Sequence, residues 1–227
     1  MGTVVTATLP IPMIVITGSS CAGKTSVIDI LRENLSDKVE FVPEAASQVL
    51  AENIVPKPDI LPYFSDCKEI KQSIHYEWLH YLQDSILKRI IELEHIAQQH
   101  ACEHGKKLIV TDRGIVDMPA YHPKGEVGWE ILTTTRVNHL TKTSALSRYH
   151  GVIVLETLAI HYPELFSNAI NAERYETPEE AAGLHNKITQ AWSEHSNYQM
   201  VCNLGRSLEE VGSIVESIIS SALEKVS

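Results

Sequence analysis

The amino-acid sequence predicts a three-layer α/β/α domain in which helices cover both faces of a five-stranded parallel sheet. Five short apolar stretches have the pattern of buried strands, and helical patterns separate them along the chain. Strands that alternate with helices form parallel sheets through right-handed crossovers. A chain of 227 residues has room for one sizeable core. We therefore predict an N-terminal extension, 1–12, followed by a single domain, 13–227.

The first half of the chain contains three of the predicted strands. The first, 13–17, is a continuous apolar, β-branched run between Pro12 and Gly18. The second is a short strand at 39–42 that stops at Pro43, and the third is a buried strand at 107–111. Apolar residues at three- and four-residue steps predict the intervening helices at 25–35, 45–53 and 67–101. The order of strand, glycine-containing loop and helix at the start of the domain is the first functional indication.

The second half contains two more strands and two well-marked helix starts. The strands are predicted at 152–155 and 198–202. Thr177 and Glu180 form a capping box with Pro178 at the first helical position, and Ser207 with Glu210 repeats the box before the last helix. These elements complete the predicted sheet.

The loop after the first strand matches the phosphate-binding pattern G-x-x-x-x-G-K-[ST] at every fixed position. In this pattern glycines let the backbone wrap around phosphates, the lysine reaches the outer phosphates, and the hydroxyl binds Mg²⁺. The helix that follows adds the positive end of its dipole. The predicted nucleotide-contacting residues are Gly18, Ser19, Ser20, Cys21, Ala22, Gly23, Lys24, Thr25 and Ser26. We predict binding of ATP with Mg²⁺.

Charged residues follow the second and third strands, at the sheet edge where ligands of open α/β sheets bind. Glu44 has two interpretations, a general base or a first-turn glutamate at a helix start. Asp112 is a candidate magnesium ligand together with Thr25, and Arg113 is a candidate phosphate ligand; a structural Asp–Arg turn pair is the alternative. Arg174 lies between two predicted helices, where an arginine either closes over phosphates or is simply solvated.

Two further acidic residues are weaker candidates. Asp117 has the position of a helix cap, and Glu156 is expected to end the fourth strand in solvent. We also expect Arg148 to lie at the surface, beside a helical stretch.

Composition narrows the expected partners and location. The formal charge of −10 opposes docking onto a nucleic acid backbone, and the apolar runs are too short for a membrane span. The 4 cysteines show no metal-type or redox-type spacing, which favours a reducing cytoplasm. We expect a nucleoside triphosphate and an unidentified small-molecule acceptor as partners, no nucleic acid, no integral membrane contact, and a monomer or dimer.

Four stretches give the chain a resemblance to the P-loop kinases, and specifically to the AAA_28-type ATPase or kinase-like family near the nicotinamide riboside kinases. The stretches are 16–25, 42–46, 111–117 and 174–182. The resemblance implies a P-loop NTPase fold with a sheet of the nucleoside and nucleotide kinase type. It also implies that Glu44 is the base, that Asp112 and Arg113 form the strand-end pair, and that Arg174 is a lid arginine.

The leading functional hypothesis is a small-molecule kinase. Lys24, Arg113 and Arg174 would stabilise the transferred phosphoryl group while Glu44 activates an acceptor hydroxyl. The alternative is a nucleotide-dependent switch or binding module that contacts a protein or lipid. The segment Asn186-Lys187-Ile188-Thr189 lacks the aspartate of a guanine signature, which favours ATP over GTP.

Overall fold

A five-stranded sheet forms the centre of the fold. The computed structural model describes residues 10–55, 68–136, 140–166 and 177–226, without the side chains of 68–75 and 135–136. The strands are β1 Met13–Thr17, β2 Val39–Val42, β3 Leu108–Asp112, β4 Gly151–Leu155 and β5 Tyr198–Val201. Their order is β2-β3-β1-β4-β5, and every paired neighbour is parallel. This arrangement confirms the predicted three-layer fold.

Helices occupy both faces of the sheet. In chain order they are α1 Lys24–Leu35, α2 Ala45–Ala51, α3 Lys68–Glu103, α4 Met118–Tyr121, α5 Gly125–Arg136, α6 Lys142–Leu146, α7 Leu158–His161, α8 Pro178–Trp192 and α9 Leu208–Val226. Two short 3-10 helices, Ile115–Asp117 and Pro163–Leu165, complete the described elements. Among these helices, none combines the length and the apolar character that a membrane span requires.

Two separate apolar cores explain why β1 and β4 are buried along their whole length. Alternate residues of a strand point to opposite faces. In β1, Val15 packs with residues of α2, α3 and α8, whereas Ile14 and Ile16 pack with residues of α1 and α9. Burial on both faces therefore removes the polar alternation that a half-exposed strand would show.

The predicted capping boxes are present at both helix starts. The Thr177 hydroxyl accepts the Glu180 backbone N–H at 3.2 Å, and the Glu180 carboxylate accepts the Thr177 backbone N–H at 2.8 Å. Ser207 and Glu210 make the same two bonds at 3.2 and 2.7 Å. The first donors of α8 and α9 are thus satisfied within the chain.

One strand boundary differs from the prediction in a way that concerns the site. Strand β3 ends at Asp112 and not at Thr111, because the neighbouring strand β1 continues far enough to pair Ile16 with Asp112. Asp112 is therefore part of the sheet, and Arg113 is the first residue beyond it. The backbone of Arg113 still donates to the Ile16 carbonyl at 3.0 Å, which fixes where its side chain begins.

Candidate functional site

The loop between β1 and α1 has the backbone conformation of a phosphate-binding loop. Gly18 has φ of 147° and Gly23 has φ of 77°, and Cys21 adopts a left-handed φ of 56°. A Cβ at Gly18 would lie 2.4 Å from the Leu155 carbonyl oxygen of the adjacent strand. The loop is also tied to the segment after β4, because Thr157 donates its hydroxyl to the Ser20 carbonyl at 2.6 Å. Glycine is thus required where the loop crosses the sheet edge.

Lys24 lies at the centre of this loop. Its side chain is buried, and its ammonium donates to the carbonyls of Gly18 at 2.9 Å and Ser19 at 3.1 Å. Thr25 and Ser26 are exposed in the first turn of α1. The structure therefore brings the predicted loop residues together around one cation at a helix N-terminus.

Arg113 connects the loop to the second strand end. Its guanidinium donates to the Glu44 carboxylate, to the Gly18 carbonyl at 3.1 Å and to the Tyr121 hydroxyl. The guanidinium carbon also lies 5.0 Å from the centre of the Tyr121 ring. Arg113 has a φ of 71°, which is uncommon for a residue with a side chain and is associated with functional sites.

Glu44 lies directly before α2, but its carboxylate makes no capping bond to that helix. One carboxylate oxygen pairs with Arg113, and the other accepts the Ser47 hydroxyl at 2.6 Å. Burial of Glu44 favours its neutral form, but the charges of Arg113 and Lys24 and the bond from Ser47 outweigh burial and lower its pKa to about 2. The residue is ionised in this arrangement at neutral pH.

The low pKa of Glu44 predicts a pH-dependent part of the folding stability. Because the folded pKa is about 2 and the ordinary value is 4.5, the stabilisation is complete above pH 4.5 and is lost as the pH falls toward 2. The full effect corresponds to up to about 3 kcal/mol. We expect denaturant titrations between pH 6 and 3 to show a shallower loss of stability for Glu44→Gln than for the wild type. Parallel curves would contradict the assignment.

Asp112 has an unsatisfied oxygen that suits a cation. Its Oδ1 is buried and has no hydrogen-bond partner among the described residues. Burial raises the pKa of Asp112, and the nearby charge of Lys24 opposes this rise. A carboxylate oxygen and the exposed hydroxyl of Thr25 are both ligands that Mg²⁺ accepts. The residues present therefore fit a magnesium ion.

Comparison with known families agrees with the geometry of the loop. The sequence profile of AAA_28, described as an AAA domain, matches residues 13–210. The chain belongs to the AAA_28 family. It is therefore a P-loop nucleotide-binding protein, while the suggested nearness to nicotinamide riboside kinases stays a prediction. No curated protein matches the chain.

Two clefts lie near the AAA_28 phosphate loop: the loop itself lines one, and Arg113, which donates to the Gly18 carbonyl, lines the other. The first, which we call the α1–α9 cleft, measures about 590 Å³ and is lined by the loop and by residues that include Leu155, Leu158, Asn203 and Leu208. The second, which we call the α2–α3 cleft, measures about 580 Å³, and its lining includes Glu44, Asp112 and Arg113. Both volumes are within the range of small-molecule sites.

Asp117 stabilises the base of this AAA_28 site. Its carboxylate accepts the Thr17 hydroxyl at 2.8 Å, the Trp192 indole N–H at 2.6 Å and the Gly114 backbone N–H at 3.0 Å. The side chain is buried, and it joins the end of β1 to the turn after β3 and to α8. These bonds give Asp117 a structural role that joins three elements.

Replacing Asp117 with alanine is expected to lower the free energy of unfolding by about 3 kcal/mol, because three buried donors lose their acceptor. Asp29 provides a matched control, since it is exposed and pairs with Arg32 on the surface of α1. Asp29→Ala should change stability by less than about 0.5 kcal/mol. Equal effects of the two substitutions in denaturant titrations would show that the network contributes little.

The sequence-based expectations for Glu156 and Arg148 were wrong. Glu156 is buried and accepts the Asn203 backbone N–H at 3.2 Å, where a solvated strand end was expected. Arg148, expected at the surface, is only half-exposed and pairs with the buried carboxylate of Glu94. The neighbouring Tyr149 donates its hydroxyl to the same carboxylate. Both residues stabilise the fold around the sheet.

Two residues complete the comparison of the predicted site with the structure: Arg174, which was predicted, and Tyr121, which was not. Arg174 lies outside the described residues, so its lid role stays a prediction. Tyr121, which positions the Arg113 guanidinium, was not singled out from the sequence. Tyr121 lies eight positions after Arg113 in the sequence, and this spacing belongs to no motif from which the contact could have been predicted.

Proposed function

We propose that this AAA_28 protein is an ATP- and magnesium-dependent phosphotransferase that transfers the γ-phosphoryl group to the hydroxyl of a small molecule. The proposal depends chiefly on the α2–α3 cleft, which places a second small-molecule cavity beside the phosphate loop. A hydrolase needs room for water only, whereas a kinase needs a cavity for an acceptor.

The nucleotide would occupy the α1–α9 cleft and the loop. The loop and the N-terminus of α1 bind the phosphates, and Lys24 moves its ammonium from the loop carbonyls to the outer phosphates. A purine ring could pack against Leu165 and Leu208, which are exposed apolar side chains that line this cleft. ATP is favoured over GTP because the segment 186–189 lacks the aspartate of a guanine signature.

The residues that would hold magnesium are Thr25 and Asp112. When bound, the ion supplies positive charge that neutralises the phosphate oxygens during transfer. The unsatisfied Asp112 oxygen gives this assignment its support, because a buried carboxylate oxygen without a partner is costly to the fold.

Glu44 would orient the acceptor hydroxyl and accept its proton as the phosphoryl group is transferred. A carboxylate with a pKa of about 2 is a weak base. This is compatible with phosphoryl transfer, because its loose transition state depends more on positioning and charge than on early deprotonation. When Lys24 and Arg113 turn to the phosphates, Glu44 loses the two charges that lower its pKa, and it becomes a better base.

The test is to incubate the protein with ATP, Mg²⁺ and a metabolite extract, and to search for masses increased by one phosphoryl group. The proposal expects such a product together with stoichiometric ADP. ADP without any phosphorylated compound would contradict the transferase. If that result came with nucleotide-dependent capture of a protein or lipid, it would support the alternative of a switch or binding module.

A further inference from the structure

The α2–α3 cleft is chemically divided into two parts. Its charged side chains, Glu44, Asp112, Arg113 and Asp117, come from the sheet end that faces the phosphate loop. The walls that α2 and α3 contribute are mainly apolar. They include Leu50, Trp78, Leu79, Leu82, Ile86 and Ile90. The described lining also includes three uncharged polar side chains, Asn53, Gln83 and Tyr121. Among the described residues, an occupant of this cleft would therefore meet charged groups only at the sheet end.

The charged end has little capacity to bind an anionic acceptor. Among the described lining residues, Arg113 is the cation, and it already donates to Glu44, Gly18 and Tyr121. Three carboxyl groups accompany it, and that of Glu44 stays ionised. A phosphate or carboxylate on the acceptor would be repelled by these groups and would compete for Arg113 with the transferred phosphoryl group.

Trp78 holds part of the apolar wall in place. Its indole N–H donates to the carbonyl of Val55 at 3.2 Å, which connects α3 to the segment after α2. The ring is half-buried and lines the cleft. The other 2 of the 3 tryptophans, Trp129 and Trp192, are buried. Trp78 is thus the tryptophan whose surroundings change when the cleft fills.

We propose that the acceptor is an uncharged alcohol with an apolar, ring-sized body, and that its hydroxyl lies beside Glu44 while its body packs on Trp78, Leu82 and Ile86. This inference rests on the proposed phosphotransferase function. In the reaction the acceptor oxygen forms a bond to the γ-phosphorus, and the bond between that phosphorus and ADP breaks. The hydroxyl proton goes to the Glu44 carboxylate.

A binding series tests this substrate class without requiring turnover. Phenyl-substituted n-alcohols of increasing chain length are titrated into the protein loaded with a non-hydrolysable ATP analogue and Mg²⁺, and tryptophan fluorescence is recorded. Each added methylene should lower Kd about 4-fold until the cleft is full, because each buries further apolar surface. Sugars and nucleoside monophosphates should bind at least about 10-fold more weakly than the best alcohol. Trp78→Phe should remove the fluorescence change, and calorimetry should still detect binding.

A charge placed in the wall provides a second test. Leu79→Lys should weaken binding of the best alcohol by at least about 10-fold, since it puts an ammonium group into the apolar part of the cleft. Ile96→Lys is the matched control, because Ile96 is an exposed residue of the same helix that does not line the cleft. Unchanged affinity for the ATP analogue verifies that both variants are folded.

The outcomes separate this inference from the function on which it rests. Tightest binding or phosphorylation of a sugar or a nucleoside monophosphate would overturn the inference and leave the phosphotransferase intact. The same holds if no alcohol binds at millimolar concentration. An alcohol that follows the methylene series but receives no phosphate from ATP would support the cleft chemistry and count against the phosphotransferase.

Discussion

Replacement of Lys24 by methionine is expected to reduce ATP turnover at least about 100-fold, the size of effect seen when one donor to a developing anion is removed. Lys24 is buried in the loop, and its ammonium lies against two loop carbonyls, ready to reach the outer phosphates. Methionine keeps the unbranched shape but carries no charge. Calorimetry should also show at least about 10-fold weaker binding of ATP with Mg²⁺.

Lys38 supplies the control for this substitution. It is an exposed lysine in the turn between α1 and β2, outside the lining of either cleft. Lys38→Met removes the same charge from the protein and should leave ATP binding and turnover within about 2-fold of wild type. If both variants bound ATP as the wild type does, the loop would not be the nucleotide site.

The sequence was sufficient for the sheet because buried parallel strands carry a strong local signal. The bounds of β1 and β2 agree with the predicted ranges, and α3 begins within one residue of its prediction. The helices α4, α6 and α7 have only 4 or 5 residues each, too few to show a helical period. Their positions depend on tertiary packing, and a single sequence does not encode that packing locally.

The sequence predicted the residues of the candidate site but not the contacts between them. A motif of fixed spacing identified the loop, and the rule that ligands bind at strand ends identified Glu44 and Arg113. Their direct contact joins residues 69 positions apart, and Arg113 makes it from a left-handed backbone conformation. No sequence pattern predicts either feature. The burial of Glu156 was missed for a related reason. Its side-chain partners are Asn203, which follows β5, and His161 of α7, and only the folded chain brings these residues together.

Replacement of Glu44 by glutamine is expected to lower the rate of phosphoryl transfer at least about 100-fold, while Kd for ATP changes by less than about 3-fold. Glutamine keeps one acceptor oxygen, for either Arg113 or Ser47, whereas its amide nitrogen only donates and it cannot take a proton. Product formation with an accepted alcohol measures the rate, and calorimetry measures nucleotide affinity. A loss of both would mean that Glu44 acts mainly by holding Arg113 beside the loop.

Glu52 is the matched control for this change, since it is an exposed glutamate at the other end of α2 that pairs with Arg89. Glu52→Gln should leave transfer and binding at wild-type levels. Glu44→Asp distinguishes a base from a residue that only holds Arg113. It keeps a carboxylate, but the side chain is one methylene shorter, so the carboxylate lies farther from Arg113 and Ser47. If Glu44 accepts the proton, partial activity should return in Glu44→Asp. Full activity in Glu44→Gln would exclude Glu44 as the base and leave the acceptor proton to solvent or to the phosphate itself.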